Sequence, residues 1–418
     1  MGSESLLDPS HGSPAGARPG SAGGPLLGKN GNNCAPADQA WFLEPPTWTR
    51  RDRLALRTWL WDGSTIEELR RCGRVRIASS LQVVKTPNGV DTRGLARCRS
   101  VWACPMCSVG IRAARGVEIT GAIEVHLAGD GGVGFGTFTV PHGISDALKE
   151  TYSAVASAWH SVNVDKSVRK FRKACGYWGF CRTCEVTHGP AGWHPHAHWL
   201  DFWDRPLTLV EQAEYSALLL RAWQAAVVRL GLERPSDRYG LRYLRTVGNG
   251  EGLGDYLVKC DPKWAGFELT AVSTKQARGE SKGPFDLLWL ARNRPDYGTW
   301  AWLWREYEQG TRGRRMLGWS KGLRERIGVL PDDPDPEAVG GQILARVLAE
   351  DHAALSCAGV WHRSQWAIEQ AALDGGQIGV DDCVRALLGL APRVELAVQL
   401  GSPQLQLQGM SAAEEVGF

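Results

Sequence analysis

Three histidines, His194, His196 and His198, occupy alternate positions in the run Gly192-Trp193-His194-Pro195-His196-Ala197-His198-Trp199-Leu200. Side chains two apart on a β-strand share a face, so a strand here would converge three imidazoles on one surface. Neutral imidazole nitrogens ligate borderline divalent metals, and a strand holds them rigidly. The plainer alternative is a solvated polar face. If a hairpin closes on the turn-prone His188-Gly189-Pro190-Ala191-Gly192, Glu185 falls opposite His196. A carboxylate beside the imidazoles completes a mixed nitrogen and oxygen site suited to Mg²⁺ or Mn²⁺ when a substrate supplies phosphate oxygens, and able to accept Zn²⁺; a solvated strand charge is the alternative for Glu185.

A second group lies downstream in Gly254-Asp255-Tyr256-Leu257-Val258-Lys259-Cys260. Three residues apart on a helix, Tyr256 and Lys259 share a face, so a cationic amine sits beside a phenol or beside a phosphate that the phenol attacks. The cysteines offer a third group. Cys104 and Cys107 have knuckle spacing, and Cys72 and Cys98 upstream complete a Cys₄ set for a structural Zn²⁺. A competing arrangement pairs the knuckle with Cys181 and Cys184, which asks a strand to aim residues three apart at one ion, against its period of two. Reduced cysteines without a metal are the remaining alternative.

The elements that must position these groups follow from periodicity and breakers. Residues 1–40, rich in Gly, Ser, Pro and Asn, read as disordered. Residues 41–76 read as helical, followed by the cysteine region to 107, so 41–110 forms a helical and zinc segment. A helix is expected over 111–127 and a strand over 133–140, ended by Pro141. Helix follows over 144–174, then strands over 177–187 and 194–202, a helix over 207–230, a strand over 239–247 and a short helix from Gly254. This order predicts an α+β domain over 111–330, an antiparallel sheet with helices on one face. Residues 331–340 read as an acidic Pro-rich linker. Residues 341–418 read as a separate small module, with helices over 342–352 and 361–373 and a variable tail.

The chain's 418 residues, 43% of them hydrophobic and 22% charged, suit a globular protein of two or three domains. Its formal charge is +3, but residues 331–418 hold 13 acidic against 4 basic side chains, so residues 1–330 carry +12 and favour an acidic partner. Basic stretches over 166–173 and 312–326, the latter holding Arg314, Arg315, Trp319 and Lys321, suit phosphate contacts and base stacking, or else form solvated helix faces. The aromatic run over 299–304 is read as packing, with a stacking platform as the alternative. With neither a signal peptide nor an apolar run of membrane length, the expected location is cytoplasmic, away from membranes, where 11 cysteines are metal ligands before disulfides.

In these motifs the chain resembles the rolling-circle replication initiators of actinomycete plasmids, within the HUH (His-hydrophobic-His) endonuclease superfamily. The resemblance runs from Cys72 to Gly328. It is carried by the segment from Cys98 to Cys107, by Thr137-Phe138-Thr139-Val140, by Glu185-Val186-Thr187-His188-Gly189 with the histidine run, by Tyr256-Leu257-Val258-Lys259, and by the segment from Gly313 to Arg324. The resemblance implies an RRM-like HUH core and a metal-dependent nickase of a plasmid double-strand origin, cut as single strand or extruded hairpin. Tyr256 would attack the scissile phosphate and stay joined to the 5′ end. His196 and His198 would hold the metal, with His194 or Glu185 as a further ligand and Lys259 supplying charge. Some relatives place a glutamate four residues before the tyrosine; here that position is Gly252, flanked by Glu251 and Asp255, which leaves termination open. No helicase-type phosphate loop is present, so unwinding and synthesis imply a host helicase and polymerase. A relaxase or single-tyrosine transposase shares this chemistry, and a zinc-dependent DNA-binding regulator without catalysis is the rival from another class.

Overall fold

The computed structural model describes residues 48–86, 89–247, 281–294, 298–329 and 340–390, all within one unit. The disordered reading of 1–40, the linker over 331–339 and the helix bearing Tyr256 and Lys259 lie outside the described residues. Two helices, α1 (Arg50–Gly63) and α2 (Glu67–Arg71), lead into the strands β1 (Leu81–Thr86) and β2 (Gly89–Arg93). Thr49 and Asp52 cap α1 reciprocally, each side chain accepting from the other's backbone N–H. After the cysteine region come α3 (Cys107–Ala128), β3 (Gly132–Thr139), α4 (Leu148–Val164) and α5 (Lys166–Ala174). Asp165 splits the last two because its carboxylate caps the N–H groups of Ser167 and Val168.

The hairpin β4 (Tyr177–Gly189) and β5 (Gly192–Trp203) closes with Gly189 paired to Gly192. Then follow α6 (Leu209–Arg229), β6 (Leu241–Val247), α7 (Pro284–Asn293), α8 (Gly298–Thr311), β7 (Leu317–Trp319) and α9 (Leu323–Ile327). The central sheet has the order β6-β3-β5-β4-β7, antiparallel at every pairing. The fold is therefore α+β.

Side-chain alternation on β5 builds two different faces. Ala197, Trp199 and Trp203 pack with Phe138 against α4, α5 and α6, where the Phe138 ring stacks between Trp199 and Trp223 at 4.4 and 4.2 Å. The Trp199 indole lies directly over Gly136, where an added Cβ would come within 2.1 Å of it, so that strand position excludes a side chain. Leu200 and Phe202 point the other way, with Val133, Phe135 and Cys181, against Ile119, Ala122 and Ile123 of α3 and Leu323 and Ile327 of α9. The expectation of helices on one face is thus corrected. The inner strands carry apolar residues on both faces at this end, and both need cover.

A buried carboxylate ties the first core together. Asp201, fully buried, accepts hydrogen bonds from Tyr177 Oη at 2.8 Å, Trp199 Nε1 at 2.9 Å, Tyr215 Oη at 3.1 Å and Tyr243 Oη at 3.2 Å. Burial pushes its carboxyl pKa up, with Arg172 opposing from 4.0 Å. Removing the carboxylate leaves four donors without their acceptor and Arg172 without its counter-charge, so Asp201→Ala is expected to cost about 3–5 kcal/mol in urea unfolding. A loss below about 1 kcal/mol would show that the network does not stabilise the core.

The C-terminal residues correct another expectation. Residues 342–352 are not one helix: β8 (Gln342–Val347) is a strand, followed by α10 (Ala349–Cys357) and α11 (Trp361–Leu387), the last kinked at Gly376. β8 pairs antiparallel with β1, Val347 opposite Leu81, in a sheet of order β2-β1-β8. Ala345 and Val347 are buried with Trp61, Leu81, Val83, Leu355, Trp361 and Ile368. This segment therefore shares a core with the N-terminal elements, because its short apolar run is satisfied by strand partners far away in sequence. Among the described residues no helix is long and apolar enough to cross a membrane.

Candidate functional site

The β4–β5 register sets Glu185 opposite His196, Thr183 opposite His198 and Thr187 opposite His194. On the other side of β5, Thr137 and Thr139 of β3 lie opposite His198 and His196. The three histidines continue the face of Leu200 and Phe202 beyond the apolar cover, where His194 and His196 are only half-buried. Their rings form a row, with centroids 4.0 Å apart for His194 and His196 and 5.7 Å apart, nearly parallel, for His196 and His198.

Each of the three imidazoles has its Nδ1 engaged. His198 Nδ1 lies 2.9 Å from Thr137 Oγ1, and His196 Nδ1 lies 3.4 Å from Thr139 Oγ1. His142, just beyond β3, meets His194 Nδ1 through its Nε2 while its own Nδ1–H donates to the Ala191 carbonyl at 3.1 Å. His142 Nδ1–H donates to Ala191, so His142 Nε2 accepts from His194 Nδ1–H and leaves His194 Nε2 with its lone pair, whereas the Glu185 carboxylate only accepts, so His198 Nε2 carries the proton in that contact. Burial is the main cause that lowers the His196 pKa well below its usual value, with His194 and His198 adding to it. Burial, with His142 next, takes His194 down to about 4. His194 and His196 are thereby held in the neutral form.

Glu185 Oε2 lies 3.0 Å from His198 Nε2. That separation is what two neighbouring ligands of an octahedral ion have at about 2.1 Å each. Thr183, opposite His198, keeps a buried hydroxyl with no hydrogen-bond partner among the described residues. Donor types suit a divalent ion and Glu185 and His198 stand at ligand spacing, but no three of the described His194, His196, His198 and Glu185 bring their ligand atoms within 4.8 Å of one another. Below them, the buried Arg112 of α3 donates to the Val101 carbonyl at 3.1 Å and lies within electrostatic reach of Tyr307 and Glu185.

Thr137, Thr139 and His142 were not singled out from the sequence as parts of this site. The signal was present, since the two threonines alternate with the same period of two as the histidines. Thr137→Val keeps the shape but removes the oxygen that orients His198. It is expected to weaken Mn²⁺ binding by about 10- to 100-fold in calorimetric titration, and unchanged affinity would remove the threonine from the site.

The cysteine group is tighter. Among the described residues, Cys72, Cys98, Cys104 and Cys107 are the one set of three or more His, Cys, Asp or Glu whose ligand atoms all lie within 4.8 Å of one another, and they could hold a metal ion such as zinc. The competing knuckle is not formed: Cys181 packs in the core under α3, while Cys184, three residues on, pairs opposite Ala197 of the other face.

The basic segment divides. Arg314 donates to the Gly310 carbonyl at 2.7 Å and lies 4.2 Å over the Tyr152 ring, and Trp319 sits in β7 under Arg324 at 5.5 Å. Arg315 and Lys321 are exposed. In the aromatic run, Trp300 and Trp304 are buried and Trp302 is exposed. The chain leaves β6 at Val247, and at Lys282 it pairs through a β-bridge with His188, at the histidine end of the hairpin.

No protein-family model matches the chain, and no solved structure matches it. It is 28% identical over 404 residues to a Streptomyces lividans protein named "Protein rep", an alignment covering 77% of this chain and 86% of that protein. It is 32% identical over 130 residues to a Streptomyces cyanogenus protein named "Neomycin resistance protein", covering 25% of this chain and 30% of that protein.

Proposed function

We propose that the chain is a plasmid rolling-circle replication initiator of the HUH type, a nickase and strand transferase acting on its double-strand origin. The observation that carries this reading is the row of imidazoles on β5, each with its Nδ1 engaged, and with the Nε2 of His198 beside Glu185. The similarity to "Protein rep" along most of both chains supports the replication role.

In this mechanism His196, His198 and Glu185, with His194 adjoining, would hold a Mg²⁺ or Mn²⁺ ion. The ion supplies Lewis-acid stabilisation of charge on the scissile phosphate. The Tyr256 hydroxyl loses its proton and its oxygen bonds to phosphorus. The bond to the 3′ oxygen breaks, and that oxygen takes up a proton. The products are a 5′-phosphotyrosine and a free 3′-OH primer, and the phosphodiester energy is kept for rejoining. Lys259 offsets charge on the phosphate, and the exposed Arg315 and Lys321 contact the backbone of single-stranded or hairpin DNA. The Arg314 and Trp319 side chains shape that surface from within. The protein acts in the cytoplasm, where host helicase and polymerase extend the primer.

The test is conversion of supercoiled origin plasmid to open circle by the full chain. Conversion that requires Mg²⁺ or Mn²⁺ and vanishes with chelation supports the reading. Binding without any conversion in either metal points instead to a regulator.

A further inference from the structure

The four cysteine sulfurs lie at the corners of a tetrahedron of the right size for one ion. Cys72 Sγ is 3.7 Å from both Cys104 Sγ and Cys107 Sγ, and Cys98 Sγ is 3.8 Å from Cys107 Sγ. A tetrahedral zinc with bonds of about 2.3 Å places its sulfurs about 3.8 Å apart. A disulfide would need about 2.05 Å. Two backbone N–H groups already point at sulfur, Cys107 N to Cys104 Sγ at 3.4 Å and Ser100 N to Cys98 Sγ at 3.5 Å. The second turn is possible because Arg99 adopts a left-handed φ of 52°.

The neighbourhood is cationic in a way that thiols alone leave unexplained. Arg57 of α1 is 1% exposed and donates from Nη2 to Gln365 Oε1 at 2.5 Å. Its Nε and Nη1 are buried without hydrogen-bond partners among the described residues. A buried guanidinium without compensation is costly. This one lies within electrostatic reach of Cys72 and Cys104, while Arg97, ion-paired with Asp91 at 2.9 Å, lies within reach of Cys107 and Cys72. The fold makes room for the first cation at Gly73, beside Cys72. There φ is +66°, and an added Cβ would come within 2.1 Å of Arg57 Nη1. Indole N–H groups of Trp61 and Trp361 fix this turn, donating to the carbonyls of Cys72 at 2.9 Å and Gly73 at 3.1 Å.

We propose that Cys72, Cys98, Cys104 and Cys107 bind one Zn²⁺ as a tetrathiolate, and that the buried Arg57 offsets part of the negative charge of that centre. Binding releases the four thiol protons, and no redox step is involved. The centre joins the turn after α2 to the first turn of α3, the helix that bears Arg112 beneath Glu185. Arg57 is a positioning residue in this unit, acting on the metal through the thiolates.

The test uses the full-length chain purified without added metal. Elemental analysis is expected to find about one zinc per chain, and replacement by cobalt is expected to give the visible absorption of a tetrahedral tetrathiolate. Zinc release to a chromogenic chelator is then compared among variants. Arg57→Met is expected to lose zinc at least tenfold faster than the native chain, and Arg57→Lys, which restores the charge, to stay within about threefold of it. Iron in place of zinc, less than a tenth of an equivalent of metal, or a cobalt spectrum with fewer than four sulfurs would overturn the site. Equal release from native chain and Arg57→Met would overturn the charge pairing.

Discussion

Replacing His198 by alanine is expected to slow metal-dependent nicking by about 10²- to 10³-fold while leaving DNA binding within about twofold. The imidazole joins three strands of the site: its Nδ1 is held by Thr137 on β3, and its Nε2 stands 3.0 Å from Glu185 on β4. Losing one ligand removes several kcal/mol of transition-state charge stabilisation, which sets the size of the loss. His196→Ala should behave alike, and the double variant should be little worse than either single one, because both residues serve one ion. Raising Mn²⁺ should recover part of the rate in the single variants. Nicking within threefold of the native rate at low metal would remove His198 from the site.

Tyr256→Phe is expected to abolish cleavage, by at least about 10⁴-fold, at every metal concentration. Phenylalanine keeps the ring and removes only the nucleophilic oxygen, so neither Mn²⁺ affinity nor DNA affinity should change. The two substitutions thus separate ion from nucleophile: the histidine defect responds to metal and the tyrosine defect does not. Cleavage that survives in Tyr256→Phe would assign the nucleophile elsewhere.

Much of the histidine site was legible because a strand has a fixed period and a tight turn fixes a hairpin's register. His194, His196 and His198 share a face for the first reason, and Glu185 faces His196 for the second. The groups that orient the imidazoles were less legible. Thr137 stands 61 residues before His198, and only the sheet order, with β3 beside β5, brings them together. His142 needed the geometry of the loop after β3 for the same reason. The cover on the second sheet face was hidden because α3 and α9 come from opposite ends of the domain. β8 was misread because six residues with ambiguous apolar spacing take their structure from β1, more than 250 residues earlier. The cysteine set was visible in its spacing, whereas Arg57 was not, since a buried cation beside thiolates is a tertiary fact. Tyr256 and Lys259 were read from sequence and lie outside the described residues.

The central claim is a covalent step at one named oxygen. A 3′-labelled single-stranded origin oligonucleotide, incubated with the full chain and Mn²⁺, should transfer its label to the protein, and peptide mass mapping of the digested adduct should place the nucleotide on Tyr256. Cleavage without an adduct, or an adduct on another residue, would contradict the account.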